Sequence, residues 1–133
     1  MMRFRRAGDY AVVGGEEWFL ERSAGRWVVV RPAVGAVPSG WTRRNEYTDE
    51  RVVDDSEKQH GIIRLSYDGT YRGVPVTMTP SFSGRMTVYS VDFDAARKAG
   101  MRVLERDTMV ADVEADDPEL DVRVHRTRLP FPE

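Results

Sequence analysis

Two stretches decide how this chain is read: VVDDSE at Val52–Glu57 and VEADDPE at Val113–Glu119. Each opens on valine, carries an Asp-Asp pair, and places a glutamate two residues beyond it. Each then runs into a β-rich segment, GIIRL in one case and LDVRV in the other. Asp and Ser cap short helical turns, and Pro118 suits a first helical position. Both stretches therefore predict an acidic corner just ahead of a strand.

Working outward, other features recur at similar spacing. Gly8-Asp9-Tyr10 parallels Gly69-Thr70-Tyr71, and the turn Ser23–Arg26 parallels Ser81–Arg85. WVVV follows the first Gly-Arg and MTVY the second, while Gly40-Trp41 parallels Gly100-Met101. Features in the same order at a near-constant offset point to a duplicated module, with residues 1–66 as the first β-rich repeat and 67–133 as the second. Within the first, DYAVV, EEWFLER and RWVVVRP are bounded by Gly-containing turns, which is hairpin chemistry. WTRRNEY and DERVV read as short strands with a turn at Thr48-Asp49. The intervening PAVGAVPSG contains Pro32 and Pro38 and excludes a good helix. Within the second, Gly69–Pro80, Arg85–Val91, MRVLERD, TMVADVE and LDVRVHRT read as strands. One helix is expected near 92–99, with Asp92 at its start, Arg97 and Lys98 in its last turn and Gly100 ending it.

A chain of 133 residues, 41% hydrophobic and 32% charged, is long enough for a compact core and too apolar for disorder. The expected class is mainly β. A single open sheet of such short strands would expose edges, and small chains avoid this by curling. In an SH3-like barrel a short helical turn precedes the last strand, as DDSEKQ and DDPEL would here. Two tandem SH3-like small barrels are the expected architecture; the alternative is a single mixed α+β sheet with the helix lying on it.

Cysteine is absent, which removes disulfides, thiolate zinc sites and cysteine nucleophiles. No apolar run approaches a membrane span and no apolar region follows the N-terminal charges, so a cytoplasmic protein is expected. His60 and His125 do not stand at ligand spacing with carboxylates. VVGGEEW lacks the lysine and helix of a phosphate loop, and no G-x-S-x-G elbow occurs. The acidic corners lack the glycine and alternating oxygens of a calcium loop. Neither catalysis, a cofactor nor a metal is expected.

Charge is more informative. Net charge is −2, which excludes the overall footprint of a nucleic-acid binder. Yet carboxylates cluster at Glu46, Asp49, Glu50, Asp54, Asp55 and Glu57, and again at Asp112, Glu114, Asp116, Asp117, Glu119 and Asp121. Arginines gather at Arg3, Arg5 and Arg6 and at Arg123, Arg126 and Arg128. The acidic stretches are solvated faces or a docking surface for a basic partner, with Trp41 and Tyr47 near the first one as candidate aromatic anchors.

The segment YRGVPV (Tyr71–Val76), the turn SGR, the Ala96–Gly100 step and the closing VEADDPEL together resemble small actinobacterial immunity proteins encoded beside secreted polymorphic toxins. The resemblance covers mainly Tyr67–Arg128. It implies a cytoplasmic, non-catalytic protein that binds one cognate toxin domain, itself basic. The partner-binding candidates are Asp54, Asp55, Glu57, Trp41, Tyr47, Asp112, Glu114, Asp116, Asp117 and Glu119. The other reading is an SH3-like adaptor module for peptide or nucleic acid.

Overall fold

The computed structural model describes residues 4–133 and is mainly β. In chain order the elements are β1 (Gly8–Val13), β2 (Glu16–Ser23), β3 (Arg26–Pro32), β4 (Thr42–Arg43), β5 (Thr48–Val52), α1 (Asp55–Lys58) and β6 (Ile62–Tyr71). There follow β7 (Val74–Pro80), a 3-10 turn at Phe82–Gly84, β8 (Arg85–Ser90), α2 (Phe93–Lys98), β9 (Arg102–Glu105), β10 (Thr108–Glu114) and β11 (Leu120–Leu129). The chain divides into two units. One comprises Gly8–Arg64 with Arg126–Glu133, and the other Leu65–His125 with residues 4–7 at the start of the chain. Strands β6 and β11 thus contribute to both, the exchange falling after Arg64 and after His125.

In the first unit β1 pairs β2, β2 pairs β3, β3 pairs β5 and β4 pairs β5, all antiparallel. Strand β6 lies against β1. In the second unit β6 pairs β7, β7 pairs β8, β8 pairs β10 and β9 pairs β10, again antiparallel. Strand β11 lies against β6. The connectivity is the same in both, down to the closing strand that returns beside the opening one.

The hairpin registers correct one sequence match. Val13↔Glu16 and Tyr71↔Val74 flank the corresponding turns, so Tyr71 stands where Val13 does and not where Tyr10 does. The turns explain why Gly69–Pro80 is not one strand: Arg72 adopts φ 50° and Gly73 φ 80°, folding it into a hairpin. An Arg-Gly turn carries a weaker signal than Asn-Gly, since arginine enters the left-handed region only under tertiary constraint. The matched turns Ala24-Gly25 (φ 51° and 76°) and Ser83-Gly84 (φ 71° and 72°) both take that region.

Thr48-Asp49 is likewise strand, not turn. The chain turns just earlier, where Asn45 Oδ1 accepts from the Tyr47 and Thr48 amides at 2.8 and 2.9 Å. WTRRNEY accordingly yields only the two-residue β4. Helix α2 lies where expected, with the Asp92 carboxylate accepting from the Ala95 amide and Gly100 at φ 86° beyond its end.

Period-2 patterning builds each core. In the first unit Ala11, Val13, Leu20, Val29, Val53 and Ile62 are buried, with Trp18, Trp27, Trp41, Leu129 and Phe131 packed around them. In the second, Leu65, Tyr67 and Tyr71 of β6 are buried, as are Val74, Val76 and Met78 of β7 and Met86 and Val88 of β8. Met109, Val113 and Leu120 join them, and α2 contributes Ala96, with no accessible surface. No helix among the described residues is long and apolar enough to cross a membrane.

Candidate functional site

The first acidic corner is built by α1. Asp54 precedes it, and Glu57 Oε1 accepts from the Asp54 amide at 2.9 Å, satisfying a donor left open by the helix start. Glu57 also accepts from Arg51 at 3.0 Å and is mostly covered, so its role is to hold the turn. Asp54 lies 3.7 Å from Arg51. Asp55 lies 3.2 Å from Lys58 and its side chain is 99% exposed. Only Asp54 and Asp55 present charge outward here.

The second corner is a turn without a helix. Asp117 Oδ1 accepts from the Glu119 amide at 2.8 Å, and the Leu120 amide donates to the Asp117 carbonyl at 3.0 Å. Glu119 pairs Arg72 at 2.6 Å, Glu114 pairs Arg85 at 3.0 Å, and Asp112 accepts from the Thr87 hydroxyl at 2.9 Å. Asp116 is exposed and makes no hydrogen bond or ion pair with another described residue. Half of this run, Asp112, Glu114 and Glu119, therefore faces arginines brought from other elements.

The basic clusters are drawn in the same way. Arg126 makes two bonds to Glu17 at 3.1 and 3.0 Å, and Arg128 donates to the His60 carbonyl at 3.3 Å. Arg123 and His125 both approach Asp68, at 3.4 and 2.9 Å. The His125 hydrogen bond, aided by the charges of His125 and Arg123, holds the Asp68 pKa below the usual carboxylate value, against a smaller opposing effect of desolvation. Arg3 lies outside the described residues.

The two aromatic candidates part company. Trp41 packs into the first unit, edge-on to Trp18 at 5.5 Å between ring centroids, with the Arg31 guanidinium 5.7 Å from its ring. Tyr47 is 73% exposed. Strand β5 separates Tyr47 from Asp54, on the order of 20 Å along the strand, so the structure does not bring the aromatic and that acidic corner together. Compared with known proteins, the chain matches no family model, no curated protein and no solved structure.

Sequence reasoning missed one group. Asp49 has no accessible surface. Arg43 Nε donates to its Oδ1 at 2.6 Å, and Arg31 Nε stands 3.6 Å from Oδ2, which has no hydrogen bond. The only sequence signal was an aspartate alternating into β5 where a core residue belongs. No group of three or more potential metal ligands occurs among the described residues.

Proposed function

We propose that this chain is a non-catalytic immunity protein that binds a cognate secreted toxin domain and neutralises it. The toxin would be basic, and the protein would act in the cytoplasm. The observation that carries the reading is the fixing of exposed carboxylates on locked turns. Asp54 and Asp55 ride on a turn closed by Glu57, and Asp116 rides on one closed by Asp117. Charges held this way steer an oppositely charged partner and lose little side-chain freedom on contact.

The shared connectivity supports a finer reading of the fold, in which each unit is an SH3-like small barrel descended from one ancestral module. A short turn before the last strand, and a last strand returning beside the first, suit a sheet that curls.

The test has two steps: a secreted protein with a toxin-like C-terminal domain must be encoded directly upstream, its absence counting against the reading, and that domain is then co-expressed with this chain. Growth restored by this chain, with a complex recovered on purification, is the expected result. Growth that stays blocked with both proteins present rejects the reading.

A further inference from the structure

The connection between β3 and β4 departs from its counterpart in the second unit. There, the segment between β8 and β9 leaves Val91 80% exposed at its start, then forms α2 and buries Ala96, Ala99 and Met101. In the first unit the connection has no helix: Val34 is 71% exposed and Val37 38%, and Tyr47, 73% exposed, follows beyond β4 in the turn that leads into β5. The Ala33 amide donates to the Tyr47 carbonyl at 2.9 Å, which sets Val34 beside the tyrosine segment.

Arginine hydrogen bonds tie this loop to the strands beneath it. Arg43 Nη2 donates to the Gly35 carbonyl at 2.9 Å while its Nε holds Asp49. Arg31 reaches the Pro32 carbonyl at 3.3 Å and the Val34 carbonyl at 3.5 Å. The pivot is Asp49, and its place in the ladder is telling. Counted from Arg26 and Arg85, the first residues of β3 and β8, Arg31 and Ser90 stand at the same place. Their partners are Asp49 and Met109, both buried. A methionine suffices at that position in one unit, whereas the other carries a buried carboxylate at a desolvation cost. Local departures from core chemistry of this kind gather at functional or strained sites.

The arginines around this loop are occupied within the unit: Arg31 and Arg43 by Asp49, and Arg44 by Glu21 at 2.7 Å. Glu46 and Glu50 form no ion pair with another described residue, so the charge left open beside Tyr47 is negative.

We infer that the loop of residues 33–47 is the anchoring surface for the protein partner, with Tyr47 and Val34 entering an apolar recess rimmed by lysine or arginine. A tyrosine on a pre-ordered loop brings contact area at small entropic cost. This rests on the immunity reading and names the part of the surface that carries it.

The test uses the full chain and the toxin domain that the co-expression experiment above requires, with affinity measured by calorimetry and protection by growth. Tyr47→Ser with Val34→Ser should weaken binding at least tenfold and abolish protection, with an unchanged melting temperature. Tyr47→Phe should stay within about threefold of wild type. Should the double variant prove unstable, Tyr47→Arg alone must show the same loss, because the added charge meets the basic rim. Wild-type neutralisation with the serine or arginine variant bound as tightly overturns this inference and leaves the immunity reading standing. Failure of the wild type to neutralise overturns both.

Discussion

Replacing Asp49 by asparagine tests the buried charge directly. The substitution keeps the shape of the side chain and removes the ion that Arg43 and Arg31 address at 2.6 and 3.6 Å. A hydrogen bond to a charged group contributes about 1.5–3 kcal/mol net. Two effects pull the loss toward the lower half of that range. The Arg43 side chain is 41% exposed and can recover water, and a neutral amide is cheaper to bury than a carboxylate. The expected destabilisation is about 2 kcal/mol, a fall in melting temperature of roughly 8 °C for a chain of this size. Trp18, Trp27 and Trp41 all lie in the first unit, so tryptophan fluorescence during urea unfolding reads that unit alone. Asp49→Met together with Arg43→Met should recover most of the loss, since apolar replacement of a buried pair is often neutral or stabilising. Asp49→Asn within about 0.5 kcal/mol of wild type would refute the argument, because that is the range of an ordinary surface change.

Gly69→Ala should prevent folding of the second unit, since its Cβ would meet the Asp121 carbonyl oxygen and φ is 155°. Gly25→Ala, where nothing lies within 4 Å and only φ 76° is at issue, should cost about 1 kcal/mol; equal melting of the two variants contradicts the crowding at Gly69. Trp41→Ala should destabilise the first unit by about 2 kcal/mol or more through lost packing on Trp18, whereas Tyr47→Ala should leave chemical denaturation unchanged. The depressed Asp68 pKa contributes stability above the unfolded-state value and loses it as pH falls through the lower folded-state value. Urea midpoints should therefore drop below about pH 4, less steeply in Asp68→Asn; identical acid limbs in the two proteins remove His125–Asp68 from the account.

The local grammar of the chain was open to reading. Helix α2 announced both its ends through Asp92 and Gly100, and the alternation in β7 follows from a period of two with one covered face. The acidic corners stood where turns precede strands. Two errors share a cause. The turn at Arg72-Gly73 and the strand at Thr48–Val52 depend on what lies across the ladder, and neither residue type states it locally. Tyr71 pairs Val74 and thereby forces arginine into the left-handed region. Asp49 pairs Arg31 and thereby becomes a buried residue despite its charge.

The sequence by itself settled the β-rich class, the single convincing helix and the turns marked by their own glycine pairs or acidic caps, because those depend on residues within a few positions of one another. The pairing of each carboxylate was decided elsewhere. Glu119 meets Arg72, Arg126 meets Glu17, and Asp68 meets His125 across strands far apart in the chain. Charge runs that look like open faces on paper are partly neutralised in space, and only tertiary structure separates Asp116 from neighbours such as Glu114 and Glu119 that meet arginines. The same holds for the two aromatics: Trp41 and Tyr47 stand close together in sequence, yet one closes a core and the other faces solvent. Burial is a property of what packs against a residue, and that partner is chosen by the fold.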